Sequence, residues 1–468
     1  MEKELPKGWV ETNISSLVDD TGLFKDGDWV ESKDQDPNGN VRLIQLADIG
    51  LGNFRDKSQR FLNQETAERL NCNFLEQNDI LVARMPDPIG RSCLFPLKGE
   101  NVTVVDVAII RPSKKHINYK WLSHWINSPV FHKNISELAS GSTRKRISRR
   151  NLDKIPFPLP PRAEQDRIVA KVDALMAQHA AIQQAMERIP QLLKDFRQQV
   201  LNQSFERNIE RVALEDCCHK IQDGAHHSPK YVSPIREKNM FPYVTSKNIR
   251  NDYMKLDTLT YVNEDFHNTI YPRCSPEFGD VLLTKDGAST GNVTLNEFDE
   301  PISLLSSVCL IKTDKKKLIP AYLKYFIQSS IGFSEFTGKM TGTAIKRVVL
   351  KKIKKATIPL PSVPEQQEIV RRVESLFEKA TAIEQRYEQL KLQIDSLPQA
   401  ILHKAFKGEL VEQLDSDGSA VELLEQIKNL KSNSNLNKKS KAKSKSKSKF
   451  KNKINVSSSA VESGYVQE

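Results

Sequence analysis

The sequence PLPPRAEQDRIVAKVDAL, from Pro158 to Leu175, returns 201 residues later as PLPSVPEQQEIVRRVESL, from Pro359 to Leu376. The prolines at each entry cannot continue a preceding strand and suit the first turn of a helix, so both copies predict a helix start. The same offset holds upstream, where DILV aligns with DVLL. A repeat of this length predicts two copies of one structural unit. Two similar but non-identical halves suit a protein that handles two similar but non-identical targets.

The composition is that of a globular protein with room for two to four domains, since 38% of its 468 residues are hydrophobic. No apolar run approaches the roughly 18 residues that span a bilayer, and MEKELPKGWV at the start has no secretory signal. We therefore expect a cytoplasmic protein with no membrane contact. The six cysteines form no CxxC and no Cys/His ligand spacing, so neither disulfides nor a zinc site is expected, only small buried side chains.

The net charge of +11 is concentrated near the C-terminus. Lys431 to Ile454 holds ten lysines and no acidic residue, so the rest of the chain carries only +1. This segment is low in complexity and repels itself, and we expect a lysine-rich disordered tail over residues 431–468. Because the body is nearly neutral, DNA binding has to be argued from local clusters and not from the overall pI.

Two blocks, residues 1–157 and 208–358, combine short apolar and β-branched runs with turn-rich connections. VRLIQL and DILVAR belong to the first block, and MFPYVTSKNI and DVLLTK to the second. Each block ends in a helical stretch, near Trp121 to Asn127 and near Tyr322 to Gln328. The predicted fold class is α+β, with two similar globules.

Residues 158–207 and 359–412 are predicted to form a central and a distal helical region. In both, apolar residues recur at alternating spacings of three and four, which is typical of a coiled-coil seam. At 1.5 Å per residue each helix would be about 50 Å long, and its obvious partner is the other copy, paired in either direction. A helix packed only on its own globule is the alternative. The predicted seam residues are Ile168, Val172, Leu175, Ile182, Met186, Ile369, Val373, Leu376, Ile383 and Tyr387.

Two prolines and one serine qualify the helical regions. Pro190 and Pro398 fall inside the periodic stretches, where each removes a backbone donor, so we expect a kink or a break at both. The segments after them are then separate short helices. Ser419 precedes AVELLEQIKNL as a cap, which predicts a further short helix over residues 413–430.

A basic string occurs once in each half, as GSTRKRI from Gly141 and as GTAIKRV from Gly342. Such a string can offer backbone amides, a hydroxyl and two cations to phosphates, and arginine can also contact guanine bidentately. A solvated basic loop is the alternative, but recurrence at the same offset favours function. The predicted DNA-binding residues are Ser142, Thr143, Arg144, Lys145, Arg146, Thr343, Lys346 and Arg347.

Signatures of a nucleotide or methyl-donor pocket are incomplete. GFSEFTGKM, from Gly332, has one residue too many for a phosphate loop and ends in methionine where serine or threonine should bind magnesium. No tetrapeptide like DPPY or NPPF suits amino-group methylation. No glycine-rich strand–turn–helix suggests an S-adenosylmethionine site.

Signatures of a nuclease or a metal site are also incomplete. Asp79 with Arg84, and Asp280 with Lys285, resemble fragments of a nuclease site but lack a second acid to hold a metal. The adjacent histidines 226 and 227 would point differently on any regular element. We therefore predict no catalytic residue, no bound metal and no cofactor in this chain.

The repeated PLPxxxEQxxIVxxVxxL entry, the segment LPQAILHKAFKGELV from Leu397 and the opening LPKGWV together resemble the specificity (S) subunits of type I restriction-modification systems. The resemblance covers nearly the whole chain up to the lysine tail. Two features depart from the family pattern: the tail, and Pro190, which has no counterpart at Lys391.

The resemblance implies a non-catalytic subunit that binds double-stranded DNA. Its two target-recognition domains, residues 1–157 and 208–358, would each recognise half of a split sequence. The helical regions would form an antiparallel two-helix coiled coil and dock two methyltransferase subunits and the restriction subunits. S-adenosylmethionine, ATP and Mg²⁺ would be bound by those partners.

Two other hypotheses stay open at this point. A self-contained DNA methyltransferase or nuclease of unusual motif predicts S-adenosylmethionine binding or DNA cleavage by the purified chain alone. A coiled-coil scaffold without a nucleic-acid role predicts no sequence-selective DNA binding, even with partners present.

Overall fold

The structure, a computed structural model, describes residues 5–86, 88–141, 145–206, 209–338 and 347–432. It is a mixed helix and sheet protein with two repeated domains, as the α+β prediction requires. The chain divides into two compact units, one formed by the described residues up to Gln183 and from Leu392 onward, the other by Gln184–Lys391. The lysine-rich tail predicted over residues 431–468 lies outside the described residues from 433 onward.

The strands are short and fall into two matching series. They are β1 Val10–Thr12, β2 Leu23–Asp26, β3 Val41–Ile44, β4 Phe61–Leu62, β5 Ile80–Ala83, β6 Ser92–Leu94, β7 Asn101–Thr103, β8 Val107–Arg111, β9 Phe157–Leu159, β10 Arg211–Ala213, β11 Cys218–Asp223, β12 Met240–Val244, β13 Thr260–Asn263, β14 Val281–Thr284, β15 Val293–Leu295, β16 Ser303–Leu304, β17 Val308–Thr313 and β18 Thr357–Pro359.

The helices include the one predicted at the end of each globule, near Trp121 to Asn127 in the first and near Tyr322 to Gln328 in the second. They are α1 Gln64–Arg69, α2 Tyr119–Ile126, α3 Pro129–Leu138, α4 Arg149–Asp153, α5 Arg162–Met186, α6 Ile189–Phe205, α7 Glu264–Cys274, α8 Pro320–Gln328, α9 Ser330–Thr337, α10 Leu350–Lys354, α11 Val363–Ala405 and α12, residues 420–432. None of these helices combines the length and the hydrophobicity needed to cross a bilayer.

The first globule, head 1, consists of β1–β9 and α1–α4, and the second, head 2, of β10–β18 and α7–α10. Head 1 has a four-stranded antiparallel sheet in the order β2-β8-β5-β6 and a three-stranded mixed sheet in the order β4-β3-β7. Head 2 repeats both, as β11-β17-β14-β15 and β13-β12-β16. The two heads therefore share one topology.

The central strands are buried on both faces, which explains why they appear in the sequence as continuous apolar runs. In β5, Ile80 and Val82 face one hydrophobic core and Leu81 and Ala83 face another. Successive side chains of a strand point to opposite faces, so one run serves two cores.

The proline-rich strips are strands that pair with the start of each head. In β9 and β1, Leu159 lies opposite Val10, and in β18 and β10, Pro359 lies opposite Arg211. Both are isolated two-stranded sheets, where a proline can be accommodated because its missing donor need not break a longer ladder.

A fully buried glutamine ties each long helix to its own head. Gln165 accepts a hydrogen bond from the Asn118 amide (2.9 Å) and donates to the Pro160 carbonyl (2.9 Å). Gln366 does the same with the Ile319 amide (2.9 Å) and the carbonyl at residue 361 (2.9 Å). The glutamine of the repeated EQ pair thus fixes where the helix leaves the head.

Of the kink or break expected at each proline, a break is present at Pro190, whereas the helix is continuous at Pro398. The first helical region breaks between Met186 and Ile189, and Pro190 lies in the first turn of α6, where its missing N–H is harmless. In contrast, α11 continues through Pro398 to Ala405.

The structure shows how α11 tolerates its proline. Pro398 cannot donate to the carbonyl four residues earlier, that of Ile394. His179 of α5 contacts this carbonyl through Nε2 at 2.9 Å, and because a carbonyl only accepts, Nε2 is the donor. His179 is 9% exposed. A side chain from a neighbouring helix therefore replaces the lost backbone donor.

The predicted seam residues differ widely in burial. Ile168 and Val172 are buried in the core of head 1, and Ile369 and Val373 in that of head 2. Tyr387 is also buried, whereas Leu175, Met186 and Leu376 are half-buried. Ile182 and Ile383 are 44% and 53% exposed. The start of each long helix thus packs on its head, and a seam between helices stays a prediction for the remaining positions.

The end of a long helix also packs on each head. Phe406, just after α11, lies 4.5 Å from Trp121 and 4.9 Å from Trp125 in ring-centroid distance. At the corresponding place in head 2, Phe205 of α6 lies 5.2 Å from Tyr322 and 5.4 Å from Phe326. Each head is therefore held by the beginning of one long helix and the end of another.

The short C-terminal helix forms where it was predicted and packs on head 1. The hydroxyl of Ser419 accepts a hydrogen bond from the Val421 amide (3.2 Å) at the start of α12. Ala420, Leu423 and Ile427 are buried in the same core as the tryptophans of α2. The last described helix is thus part of head 1.

Candidate nucleic-acid interface

Four loops meet at one end of the sheets of head 1. We call this the loop edge of head 1: residues 26–28, 84–85, 104–106 and 145–147. Backbone hydrogen bonds join them, from the Asp28 amide to the Thr103 carbonyl (2.7 Å), from Arg84 to Asp106 (2.9 Å) and from Ile147 to Arg84 (3.1 Å). The basic string predicted to bind DNA is therefore tied directly to the strand ends.

The loop edge of head 2 has the same construction, from residues 223–225, 285–286, 305–307 and 347–348. The Ala225 amide donates to the Leu304 carbonyl (2.8 Å), Lys285 to Ser307 (2.9 Å) and Val348 to Lys285 (2.8 Å). The two heads thus present one backbone scaffold with different side chains.

A buried cation lies beneath each loop edge. In head 1, Arg84 is 4% exposed, donates to the Val105 carbonyl (2.5 Å) and pairs with Asp26 through Nε (3.4 Å). Burial lowers the pKa of Arg84 from its ordinary value. In head 2, the matching residue Lys285 is 1% exposed and pairs with Asp286 (2.9 Å) and Asp223 (3.6 Å).

Asp223 contacts an arginine, a lysine and a histidine in head 2. Arg273 donates to its Oδ1 (2.7 Å), and the His226 Nε2 and Lys285 Nζ atoms lie 3.1 Å and 3.6 Å from its Oδ2. Burial would raise the pKa of Asp223, but the hydrogen bond from Arg273 and the neighbouring positive charges hold it below its usual range. The carboxylate therefore stays ionised at neutral pH.

Three of the eight predicted DNA-binding residues are described, and all three lie at the loop edges. Lys145 and Arg146 are exposed in head 1, and Arg347 is exposed in head 2. Each arginine pairs with a carboxylate, Arg146 with Asp106 (3.0 Å) and Arg347 with Asp286 (3.2 Å). The other five, Ser142, Thr143, Arg144, Thr343 and Lys346, lie outside the described residues.

The sequence reasoning missed several residues of the loop edges. The indole of Trp29, one residue beyond the edge of head 1, is 68% exposed, which is unusual for so large an apolar side chain. Asp106 and Asp286 were also missed. No sequence signal marks them, because each meets its arginine only when distant loops fold together.

The nuclease-like fragments noted in the sequence do not assemble as pairs. Asp79 accepts two hydrogen bonds from Arg111, both 2.7 Å, while Arg84 points to Asp26. The equivalent Asp280 lies 3.5 Å from Lys312, and burial raises its pKa. These carboxylates brace adjacent strands.

Other candidate sites are likewise used for structure. In the part of the chain that the structure describes, no three His, Cys, Asp or Glu side chains form a group that could hold a metal ion. His226 pairs with Asp223 while His227 stacks edge-on against Phe266. Residues 332–337 of the phosphate-loop-like string belong to helix α9. The six cysteines are free and buried or half-buried, and burial raises the pKa of Cys93 to about 12, so its thiol stays protonated.

The chain is similar over most of its length to specificity subunits of known restriction enzymes. It is 30% identical over 455 residues to the type I restriction enzyme EcoBI specificity subunit of Escherichia coli, covering 90% of this chain and 92% of that protein. It is 27% identical over 466 residues to the EcoKI specificity subunit of Escherichia coli strain K12, covering 91% and 96%.

The fold is also similar to that of a solved structure, the HsdS subunit from Thermoanaerobacter tengcongensis. The TM-score is 0.63 at 19% identity, over 87% of this chain and 99% of that one. At this identity the likeness concerns the fold alone.

The model of one protein family, the type I restriction modification DNA specificity domain, matches this chain twice, at residues 6–191 and 206–392. Each match contains one head with its loop edge, followed in the first by all of α5 and in the second by the greater part of α11. The chain therefore belongs to the specificity subunits of type I restriction-modification systems, the proteins that give these systems their DNA sequence specificity.

Proposed function

We propose that each head recognises one half of a bipartite DNA target through its loop edge, and that the chain itself performs no chemistry. The observation that carries this proposal is the pair of loop edges, which have the same backbone hydrogen bonds and different side chains. Where head 1 has Arg84 and Asp106, head 2 has Lys285 and Ser307 at the same offset. Two scaffolds that match in backbone and differ in polar side chains suit the recognition of two different base sequences by one chain.

The basic strings supply the DNA contacts of both heads in this proposal. The described members, Lys145, Arg146 and Arg347, are exposed and lie at strand ends where a duplex can approach. Ser142, Thr143, Arg144, Thr343 and Lys346 belong to the same two strings and are proposed as further contacts. Cations on one exposed rim favour a phosphate backbone by releasing its counterions.

The long helices form an antiparallel coiled coil in this proposal. Within one unit, the start of α5 shares a core with Leu402 and Ala405 while the later residue His179 contacts Ile394. Within the other, the end of α6 shares a core with residues 369–373, and the earlier residue Arg197 contacts Thr381 and Glu384. In each unit taken by itself, partner numbers fall as residue numbers rise, which supports antiparallel pairing.

The helices also dock the partner subunits in this proposal. Large apolar side chains on them, outside the predicted seam, are strongly exposed, namely Leu192 at 63% and Leu392 at 75%. Such side chains favour cover by another protein. The partners are two adenine methyltransferase subunits that bind S-adenosylmethionine, and restriction subunits that use ATP and Mg²⁺.

Genome-wide mapping of methylated adenine, with and without this gene, tests the proposal. The expected result is the loss of one bipartite motif, which names both half-sites and the spacer. No change in any motif would favour a scaffold without a DNA role. Methylation or cleavage by the purified chain alone would favour a self-contained enzyme.

A further inference from the structure

We propose that Arg146 and Arg347 are base-reading residues, each contacting the major-groove edge of a guanine in its half-site, and that Asp106 and Asp286 are the positioning residues that aim them. This inference rests on the proposed function and assigns specificity-determining residues within it. It also separates these arginines from neighbouring lysines, which would contact phosphates.

Each arginine forms an ion pair with an aspartate while its side chain remains largely exposed. Arg347 pairs with Asp286 Oδ1 through Nε at 3.2 Å. Its side chain is 53% exposed, whereas that of Asp286 is 21% exposed. Arg146 pairs with Asp106 Oδ1 through one terminal nitrogen at 3.0 Å, with exposures of 44% and 29%. In each pair, the carboxylate is therefore less exposed than the guanidinium that it holds.

Backbone hydrogen bonds also hold the main chain at each arginine. Arg146 pairs with Ser140 by two backbone hydrogen bonds of 2.8 Å and 3.0 Å, and the next residue bonds to Arg84. The backbone of Arg347 forms a β-bridge with that of Asp286, and the amide of the next residue, Val348, donates to the Lys285 carbonyl. A guanidinium that an ion pair already holds loses less freedom on binding than an unpaired one, which favours a directed contact.

The ion pair occurs in both heads, although its carboxylate comes from a different position in each. This recurrence argues for a functional role. Arg146 and Arg347 are at the same offset of 201, but Asp106 aligns with Ser307 and Asp286 aligns with Met85. The carboxylate comes from the loop before β8 in head 1 and from the residue after Lys285 in head 2. Two different loops thus supply the same partner to the same arginine.

The charge balance favours guanine over phosphate as the target of these arginines. An arginine paired with aspartate is nearly neutral as a unit, so it gains less from a phosphate than a lysine does. The planar guanidinium can instead donate two hydrogen bonds to N7 and O6 of guanine, the commonest specific contact of arginine with DNA. Lys145 is exposed and suits a phosphate.

The test uses the full chain in complex with its methyltransferase subunits. Arg347→Lys keeps the charge and removes the fork, Asp286→Asn keeps the shape and removes the holding charge, and Lys145→Ala is the matched control. Affinities are measured by competition with duplexes in which each base pair of both half-sites is changed singly, at several salt concentrations.

Arg347→Lys should lose discrimination at one G·C pair of a single half-site, by about 5- to 150-fold, the range for one bidentate contact. Asp286→Asn should lose part of it at the same pair, and the salt dependence of both variants should stay close to that of the wild type. Lys145→Ala should flatten the salt dependence and leave discrimination unchanged.

Three outcomes would overturn the inference: discrimination unchanged in Arg347→Lys, a uniform loss at every base pair, or a flattened salt dependence as large as that of Lys145→Ala. Each is distinct from failure of the proposed function, in which the wild-type complex itself shows no bipartite preference. Arg146→Lys repeats the test in head 1, where the affected pair should lie in the other half-site.

Discussion

At the scale of single residues, the contact between His179 and the Ile394 carbonyl explains how a proline is accommodated within α11. Its energetic role is testable by a double-mutant cycle with Pro398. His179→Leu should destabilise the protein by about 1 kcal/mol, because it leaves a carbonyl without a donor. In a Pro398→Ala background the new N–H donates to that carbonyl, so the cost of His179→Leu should largely disappear.

The measurement is the free energy of unfolding of the four variants by chemical denaturation, which yields an interaction energy of about 1 kcal/mol between positions 179 and 398. Gln178→Leu, at the exposed neighbouring position, is the control and should show no coupling. Additive effects at 179 and 398 would mean that the histidine does not replace the missing donor.

Contacts of this kind between single residues could not be predicted from the sequence. Proline at position 398 predicted a kink or a break, since the local rule counts only the lost donor and the ring's clash with the previous turn. The side chain that offsets the loss comes from a residue more than 200 positions away. The same limit hid Asp106 and Asp286, whose arginines are distant in sequence.

At the scale of elements, the segment after α11 is attached to α5 by an ion pair with a defined pH dependence. Arg167 donates to both carboxylate oxygens of Asp417 (2.6 Å and 2.7 Å), and Asp417 is 5% exposed. The hydrogen bond from Arg167 holds the pKa of Asp417 below its ordinary value. The stabilisation is therefore present above the unfolded-state pKa, about 3.9, and is lost as pH falls through the lower folded-state value.

Asp417→Asn should lower the free energy of unfolding by about 1–2 kcal/mol at pH 7, because it weakens a charge-assisted hydrogen bond. The difference from wild type should stay constant down to about pH 5 and shrink at more acidic pH. Asp415→Asn is the matched control, since its partner Lys7 and Asp415 itself are exposed, and it should leave stability unchanged. A difference that persists below the folded-state pKa would contradict the assignment to this carboxylate.

Elements themselves were well predicted where periodicity was strong. The apolar runs around Ile80 and Val281 became strands buried on both faces, and the stretches near Trp121 and Tyr322 became helices. Ile182 and Ile383 are exposed, and their place in a seam between helices stays a prediction. Periodicity reports which face is apolar, but the helix ends are covered by the heads and the middle is not.

At the scale of the whole molecule, the repeat supplies a common frame and two different loop edges, which are the proposed reading surfaces. The frame is visible in the sequence because it depends on local signals, such as the proline strips and the glutamines at 165 and 366. The reading surfaces are not, because they are built from four loops that are remote in sequence. The +11 charge belongs mostly to the tail and does not mark either surface.

If the paired helices set the distance between the two heads, a matched insertion should change the spacer of the DNA target. Seven residues added after Ala181 in α5 and seven before Leu392 in α11 keep the contact between residues 179 and 394 in register. They lengthen the pair by about 10 Å, at 1.5 Å per residue, which equals about three base pairs at 3.4 Å each. Methylome mapping should then show both half-sites unaltered with a spacer longer by about three base pairs. The insertion in α5 alone should abolish the motif, because its neighbours in α11 no longer face it. An unchanged spacer in the matched variant would show that the length of the helices does not set the spacer length.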